Sequence, residues 1–549
     1  MKELLKLFIL LSMVLFCFSI ASGQDIESEA ARIIQNKFSA DEPGVSVLIA
    51  QHGKVLYRKA LGMANLELQV PLQPENKFRI ASITKQFTAV AILQLAENDE
   101  LRLDDDIRKY LPEFHQDGAV ITIENLLTHT SGLGNQDEIT NWDQLIMKPQ
   151  ISPRELISIF INQPLAFEPG TQYKYSNFGY WLLGYIVEQV SGLAYADYLS
   201  REIFEPLGLK DTSYDNMDSI ITNRIPGYSN SSSGYLNASY LDMRVPYAGG
   251  GLISNVDDLL NWYQHLYSKE GPITQETVAT AHQPYTLSNG QTTNYGYGWM
   301  IGLIKGRKTV KHDGIINGFT SFVLYIPEDS LFVATLTNCD CNRDIELTAS
   351  KLAALALGEP FSYPGLNISR RKMIELQGVY ESALGAVKFI TIQDDEIMYH
   401  DKGGGKTKMV PIKEDQFWLE ENLSKVTINR GNNGELESYT LTTLADSSTW
   451  VKTDIQVEPL KSKKLILSRL QKYTGKYEFE GAFTLQIFTK EDKLFGGVGG
   501  DIKELAFYDN DSFFVLEMDA RLQFSTSAEG EVTGLTFIQS SEMYAKKVE

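Results

Sequence analysis

The chain contains little cysteine: three residues among 549. Cys17 lies in an apolar stretch near the N-terminus, which leaves Cys339 and Cys341 for the rest of the chain. Two cysteines exclude the disulfide framework of a small secreted scaffold, and their surroundings offer too few ligands for zinc. Two interpretations of the pair stay open: small residues at a strand end, or a local disulfide.

Long apolar runs are also absent, and none approaches the twenty or so residues that a membrane-spanning helix needs. The chain begins with the basic segment MKELLK, continues with a short apolar run, and has small residues just before Gln24. This order is typical of a secretory signal peptide, which we assign to residues 1–23. The remaining chain is expected to be exported, either to the periplasm or out of the cell, with no transmembrane segment.

Basic residues are outnumbered, since 50 Lys and Arg stand against 70 Asp and Glu, a formal net charge of −20. Such a surface repels phosphate backbones, so nucleic acid is not expected as a partner. The length is too great for one hydrophobic core and predicts several domains.

The first long region, residues 24–358, has strand patterns at both ends and a helical middle. Residues 45–62 read as two strands, and 319–326 with 331–338 read as a hairpin. A helix is predicted after about residue 254, with Ser254 as its N-cap and Asp257 completing a capping box. The pattern predicts one antiparallel sheet with helices on it and an inserted helical lobe.

The second region differs in composition and repeats itself. Residues 359–372 hold proline and basic residues and are assigned as a linker. Beyond them, short strand-like runs recur at a nearly constant offset; LQGVY, for example, returns as LQKYTGKY. We therefore predict two small antiparallel sheet or barrel domains, at residues 373–455 and 465–549.

The segment FRIASITKQFTAV, residues 78–90, places Ser82 and Lys85 at the start of an apolar helix. Residues three apart share one helix face, so the two side chains can touch. Burial disfavours the charged form of a lysine, and a neutral amine can take the proton of a serine hydroxyl. The sequence therefore predicts a serine nucleophile with Lys85 as its base.

Serine and lysine at this spacing are a weak signal alone, because Ser369 and Lys372 repeat the pattern in the linker. There the lysine is expected to stay charged and solvated. Two further motifs add weight to the first pair. Tyr175-Ser176-Asn177 lies between a Pro-Gly turn and an apolar helix, and His312-Asp313-Gly314 ends a strand, where glycine permits a close approach.

The three motifs in this order resemble the serine β-lactamase and penicillin-binding protein superfamily. The segments LLTHTSGL and FEPGTQYKYSNFGYWLLG are similar to the branch that holds class C β-lactamases, D-alanyl-D-alanine carboxypeptidases, D-aminopeptidases and related esterases. The resemblance covers about residues 27–360. It implies an α+β β-lactamase/transpeptidase-like fold, an antiparallel sheet with helices on both sides plus a helical lobe. Two β-barrel-like repeats follow.

The resemblance also implies roles. Ser82 would attack an acyl carbonyl, and Lys85 would take its proton. Tyr175 would protonate the leaving group and later activate water, while Asn177 would hydrogen-bond Lys85 and the substrate amide. His129, in LLTHTSGL, is interpreted as a structural loop residue.

The third motif would line the substrate side of the site. His312 and Gly314 belong to it, and the backbone N–H of Ile315 would form the oxyanion hole together with that of Ser82. Many β-lactamases carry Lys-Thr-Gly here, whereas His-x-Gly is more typical of peptidases and esterases. No metal or cofactor is implied.

We therefore predict an exported serine hydrolase that forms an acyl-enzyme with D-amino-acid peptides, related amides or esters. Its partner would be a small-molecule or peptide substrate, with cell-wall peptide as one candidate. Two alternatives stay open: an esterase, lactonase or β-lactamase of the same fold, and a catalytically silent penicillin-binding-like protein.

Overall fold

The structure is a computed structural model. It describes residues 26–548 except 115–117, 136–138, 140–150, 162, 232–233, 342–343, 362–365, 384, 394, 402–403, 420–422, 445–446, 456–462, 464, 480–483, 499–500, 517, 519, 528–529 and 539–541. The predicted signal peptide lies outside the described residues. The chain divides into two compact units. The N-terminal unit extends to Phe361 apart from 231–233, and the C-terminal unit comprises 231–233 and the chain from Ser362 onward.

A six-stranded antiparallel sheet forms the centre of the N-terminal unit. The strands up to Thr337 are β1 (Val45–Gln51), β2 (Lys54–Leu61), β3 (Met63–Asn65), β4 (Val70–Pro71), β5 (Phe78–Arg79), β6 (Ser213–Tyr214), β7 (Tyr228–Ser231), β8 (Gly234–Asn237), β9 (Leu252–Ser254), β10 (Met300–Ile304), β11 (Arg307–Ile316), β12 (Phe319–Ile326) and β13 (Leu331–Thr337). The order in the large sheet is β10-β11-β12-β13-β1-β2, so strands from both ends of the unit meet at β13 and β1. The predicted hairpin of β12 and β13 is confirmed.

Helices cover this sheet and form the middle of the unit. They are α1 (26–35), α2 (Thr84–Glu97), α3 (Ile123–Leu127), α4 (Pro153–Ser158), α5 (Asn177–Ser191), α6 (Tyr195–Leu199), α7 (Tyr247–Gly250), α8 (Val256–Leu266), α9 (Gln275–Ala281) and α10 (Ile345–Ala356), with 3₁₀ turns at Ala81–Ile83, Ile107–Lys109 and Pro327–Asp329 and a π-helical turn at Ser200–Phe204. Helix α2 is buried on nearly all sides, as its continuous apolar sequence predicts. No helix among the described residues has the length and apolar character needed to cross a membrane.

The predicted cap of α8 is wrong by one residue. Ser254 is the last residue of β9, where it pairs with Phe78 and its hydroxyl meets that of Thr212. Asn255 caps the helix instead, because its side chain accepts a hydrogen bond from the Asp258 N–H. Because β9 extends to Ser254, the cap falls on the next residue, Asn255.

The C-terminal unit contains two closed barrels of eight antiparallel strands each, which confirms the two predicted repeats. The first has β14 (Gly378–Ser382), β15 (Val387–Gln393), β16 (Glu396–Asp401), β17 (Thr407–Lys413), β18 (Gln416–Leu419), β19 (Lys425–Arg430), β20 (Leu436–Thr442) and β21 (Ser447–Lys452); the second has β22 (Gly475–Phe479), β23 (Thr484–Lys490), β24 (Lys493–Val498), β25 (Asp501–Asp509), β26 (Ser512–Val515), β27 (Ala520–Thr526), β28 (Val532–Ile538) and β29 (Glu542–Lys547). Apolar residues alternate into each interior; Ala520, Leu522 and Phe524 of β27 are examples.

The structure shortens the predicted linker and decides between the two interpretations of the cysteine pair. The predicted linker does not run unbroken to residue 372, because α11 (Arg370–Leu376) begins within it and Ser369 caps that helix. A further short helix, α12 (Leu467–Leu470), leads with a 3₁₀ turn into the second barrel. Cys339 and Cys341 form a disulfide, which decides between the two interpretations of that pair.

Candidate active site

Ser82 lies on the 3₁₀ turn that leads into α2. Ala81, just before it, has a left-handed backbone with φ of 47°, a conformation that only surrounding contacts can impose on a residue with a side chain. Ile80 supplies two of these contacts: its N–H donates to the Leu252 carbonyl at 3.0 Å, and its carbonyl accepts from the Ser321 hydroxyl at 2.8 Å. Strands β9 and β12 therefore hold the turn that presents the serine.

Lys85 is fully buried one turn further along and has three oxygen partners. Its Nζ lies 3.0 Å from Ser82 Oγ, 2.8 Å from Asn177 Oδ1 and 2.8 Å from the Gly249 carbonyl oxygen. Burial lowers the pKa of Lys85 to about 7, with a smaller opposing effect from Asp313. A substantial fraction of the amine is therefore neutral near pH 7.

The three partners of Lys85 determine which way the lone pair of its neutral amine points. The Asn177 and Gly249 oxygens can only accept, so they take the two N–H bonds of a neutral amine. Ser82 is the one partner with a proton to give. The remaining lone pair of Lys85 therefore faces the Ser82 hydroxyl at 3.0 Å, the arrangement that a general base requires.

The ring of Tyr175 also lies near Lys85, with its centroid 4.8 Å from Lys85 Nζ. Burial raises the pKa of Tyr175 well above its ordinary value, and a hydrogen bond with Ser82 offsets only part of this rise. The phenol is therefore protonated at neutral pH. It is suited to donate a proton rather than to start the reaction as a base.

Asn177 reaches Lys85 because it is the first residue of α5. Ser176 caps that helix by accepting from the Gly179 N–H at 3.2 Å, and the Ser176 N–H itself donates to His129 Nδ1 at 3.1 Å. The Asn177 N–H donates to Asn135 Oδ1 at 3.0 Å. His129 is buried and holds this loop in place, which agrees with its structural interpretation.

His312 has a different position from the one expected of a substrate-contacting residue. The imidazole is buried, its Nδ1–H donates to the Asp313 carbonyl at 2.6 Å, and its Nε2 accepts from the Tyr295 hydroxyl at 2.9 Å. Burial lowers the pKa of His312 to about 4; the neighbouring Asp313 opposes this effect, and Lys85 adds to it. Both ring nitrogens are thus already used, and the ring is neutral at working pH.

Gly314 brings β11 against the nucleophile turn. A Cβ on this residue would lie 2.3 Å from the Ile80 carbonyl oxygen and 2.4 Å from Ser321 Oγ, so only glycine fits. The close approach predicted from the sequence is therefore to backbone. Ile315 follows with 59% of its side chain exposed. Together with Ser82 it lines a cavity of about 330 Å³.

Part of the wall of that cavity is apolar. Besides Ser82, Asn177 and Ile315, its lining includes Trp181, Leu241, Val245 and Pro246. An apolar wall beside a serine nucleophile favours a substrate that places an apolar group next to its reacting carbonyl. Among the described residues, no three His, Cys, Asp or Glu side chains group so as to hold a metal ion.

Comparison with known proteins agrees with this geometry. The family model described as Beta-lactamase matches residues 30–357. The chain belongs to the β-lactamase family. Its members are serine hydrolases, and the predicted β-lactamase/transpeptidase-like fold is confirmed. A second family model, a domain of unknown function named DUF3471, matches residues 466–547, which contain the second barrel.

Individual relatives are distant but cover much of the chain. Penicillin-binding protein 4* of Bacillus subtilis is 28% identical over 68% of this chain and 87% of its own length. Protein Flp of Staphylococcus aureus is 26% identical over 57% of this chain, which spans only 63% of Flp. The octameric penicillin-binding protein homologue of Pyrococcus abyssi matches with a TM-score of 0.54 and 26% identity, over 78% of this chain and 99% of the homologue.

In this β-lactamase-family chain, some contributors to the site were not identified from sequence. Tyr295 orients His312, and the Gly249 carbonyl completes the Lys85 contacts. Tyr295 and Tyr180 also surround His129, at ring-centroid distances of 4.6 and 5.1 Å. The one available signal was the density of tyrosines near the motifs, as in the QYKYSNFGY segment.

Proposed function

We propose that the protein is an exported serine hydrolase that forms an acyl-enzyme on Ser82 with D-amino-acid peptides, related amides or esters. The observation that carries this proposal is the contact of Ser82 Oγ with Lys85 Nζ, 3.0 Å apart at a fully buried amine. The depressed pKa of Lys85 supplies a base near neutral pH.

The first half-reaction uses both buried proton carriers. Ser82 Oγ attacks the substrate carbonyl carbon while its proton passes to Lys85 Nζ. The negative charge on the carbonyl oxygen is received by the backbone N–H groups of Ser82 and Ile315. Tyr175 then gives its proton to the leaving nitrogen or oxygen as the acyl bond breaks. Lys85 then passes its proton to the Tyr175 phenolate, which leaves the amine neutral and the phenol protonated again.

The second half-reaction reverses these transfers with water as the nucleophile. Water loses its proton to the Lys85–Tyr175 pair, attacks the acyl carbonyl and releases the acid, and Ser82 regains its proton. Of the two groups in this pair, Lys85 has a depressed pKa and Tyr175 a raised one, so the protons move through a coupled pair.

Neutral His312 shapes the substrate preference. A lysine at this motif would place a permanent positive charge beside a substrate carboxylate, whereas His312 is neutral and turned inward. Substrates without a free carboxylate should therefore be accepted. β-Lactams, which carry one, should acylate Ser82 slowly and be hydrolysed poorly.

Two relatives are named as penicillin-binding proteins or homologues of one, which supports a site able to take an acylating amide. Cell-wall peptide is one candidate substrate. Export rests on the signal-peptide pattern of residues 1–23, and fractionation of the host with N-terminal sequencing tests it.

Intact-mass analysis after incubation with a fluorophosphonate tests the proposal. One adduct is expected on the full chain, none on Ser82→Ala, and one on Ser369→Ala, which carries the same local motif elsewhere. Labelling that survives in Ser82→Ala would refute the assignment. A wild-type chain that takes no label and hydrolyses no amide or ester would instead be the catalytically silent alternative.

A further inference from the structure

Asp313 occupies the same side of β11 as the cavity-lining Ile315. Side chains alternate along a strand, so residues 313 and 315 face one way and residues 312 and 314 the other. The burial follows this alternation: His312 is buried, whereas 43% of the Asp313 side chain and 59% of Ile315 are exposed. Asp313 therefore lies two positions along the strand from a residue that lines the same cavity as Ser82.

The carboxylate of Asp313 has no cationic partner among the described residues. Its one neighbour within ion-pair distance is His312 Nδ1, 4.0 Å away, on a ring that is neutral at working pH. Elsewhere in the unit, a buried carboxylate such as Asp215 is held by Arg79 and Arg224. Asp313 is thus a partly buried carboxylate without such a partner. Its charge raises the pKa of both Lys85 and Tyr175.

A partly exposed anion beside a nucleophile selects substrates by charge. It repels a carboxylate brought next to the reacting bond and attracts an ammonium group. The α-ammonium of an amino-acid amide is two bonds from the carbonyl carbon. Residues two apart on a strand are separated by about 7 Å, which leaves room for such a group between Asp313 and the Ile315 N–H.

We propose that Asp313 receives the free α-ammonium group of the substrate's acyl residue and so makes the enzyme selective for amino-acid amides, esters or peptides with an unblocked N-terminus. This inference rests on the proposed function and narrows its substrate class. It assigns a specificity role to a residue that stands between His312 and Gly314 and takes no part in the proton transfers.

Asp313 also influences the pKa of Lys85, so a simple loss of activity would not separate the two effects. A matched pair of substrates does. D-Phenylalanine p-nitroanilide and its N-acetyl derivative have the same scissile bond and differ in the ammonium group. Any change in the base affects both, so their ratio of kcat/KM reports recognition of the ammonium group.

The full-length enzyme is assayed with both substrates at pH 7.0, where a free α-amino group of pKa about 7.7–8.0 is mostly protonated. Wild type is expected to prefer the free amine. Asp313→Asn should lower the ratio by about 10- to 100-fold, the range of one charged hydrogen bond. Asp313→Glu should keep most of the preference. Asp99→Asn, an equal charge change at an exposed position, should leave the ratio unchanged.

Each other outcome has one meaning. If Asp313→Asn keeps the wild-type ratio while Ser82 still takes the fluorophosphonate label, the ammonium site is refuted and the proposed function stands. A wild-type preference for the N-acetyl substrate refutes the inference in the same way. If wild type neither takes the label nor hydrolyses either substrate, the proposed function fails, and the inference fails with it.

Discussion

The same four-residue pattern occurs twice in this chain, and the two copies do different things. Ser82 and Lys85 lie at the start of a buried helix, where the hydroxyl and the amine are 3.0 Å apart. Ser369 instead caps α11 by accepting from the backbone N–H of Lys372 at 3.3 Å. The spacing allows both arrangements, and the surroundings decide between them.

The partners of the two lysines explain the difference. Lys85 meets neutral oxygens in a buried site, whereas Lys372 pairs with Asp415 at 2.9 Å and with Glu414 at 3.5 Å. The expectation that Lys372 is solvated was wrong in part, since only 18% of its side chain is exposed. Carboxylate partners favour an ammonium, and burial among neutral acceptors favours an amine. Burial alone therefore does not make a lysine a base.

The largest effect on activity is expected from replacing Ser82 with alanine. Ser82→Ala should lower kcat/KM by about 10³-fold or more, because the nucleophile is lost. Ser369→Ala should leave kcat/KM unchanged. The comparison uses whichever amide or ester wild type hydrolyses best, and comparable losses in the two variants would break the distinction between the copies.

Replacing each of the two lysines should also change the stability of the folded protein in different ways. The pKa of Lys85 is about 7 in the folded protein and about 10.4 in an unfolded chain. Between these values the unfolded chain binds more protons, so the stability of wild type rises with pH across this window. Below pH 7 the folded protein carries the whole cost of the buried ammonium.

Lys85→Met should therefore gain stability relative to wild type by about 4 kcal/mol between pH 10 and pH 6. The hydrogen bonds to Asn177 and Gly249 that this variant loses add a cost that does not depend on pH. Urea denaturation at pH 6, 8 and 10 measures the gain. Lys372→Met, which removes an ion pair, should show no such gain at pH 6. A pH-independent difference between Lys85→Met and wild type would mean that the amine is not titrating near neutrality.

A smaller effect is expected from replacing Tyr295, which acts on the site through His312. Tyr295→Phe removes the hydroxyl that donates to His312 Nε2 and leaves that buried nitrogen without its partner. We expect a loss of about 1–3 kcal/mol in stability and of roughly 10-fold in kcat/KM. Tyr544→Phe, at an exposed position of the second barrel, is the control and should change neither quantity. An unchanged Tyr295→Phe enzyme would show that His312 needs no orienting partner.

The smallest effect concerns the helix cap. Ser369→Ala should destabilise the C-terminal unit by about 1 kcal/mol, the usual value of an N-cap side chain. Thermal unfolding followed by circular dichroism detects this change. A loss of activity without any change in unfolding would contradict the purely structural role of Ser369.

Local patterns predicted the fold well because they recur at fixed spacing. Two apolar runs joined by turn residues identified the hairpin of β12 and β13, and the repeated segments identified the two barrels. The exact ends of strands and helices were harder to predict from the sequence. Residue 254 ends a strand that pairs with Phe78, and no local signal at Ser254 reveals a partner so far away along the chain.

The site was predictable to the extent that its chemistry is local. Ser82 and Lys85 share one turn of the backbone, so their contact follows from spacing. The Tyr295 hydrogen bond to His312 and the Gly249 contact with Lys85 arise only when separate elements pack together. The inward position of His312 likewise follows from tertiary burial, which the motif itself does not encode.

The central claim is that burial keeps Lys85 partly neutral near pH 7. Nuclear magnetic resonance of the full chain with ¹³Cε-labelled lysine measures the protonation of Lys85, with Lys85→Met providing the assignment. The Lys85 signal should titrate with an apparent pKa near 7. A Lys85 signal that titrates near 10.4, the value for a free lysine, would contradict the claim.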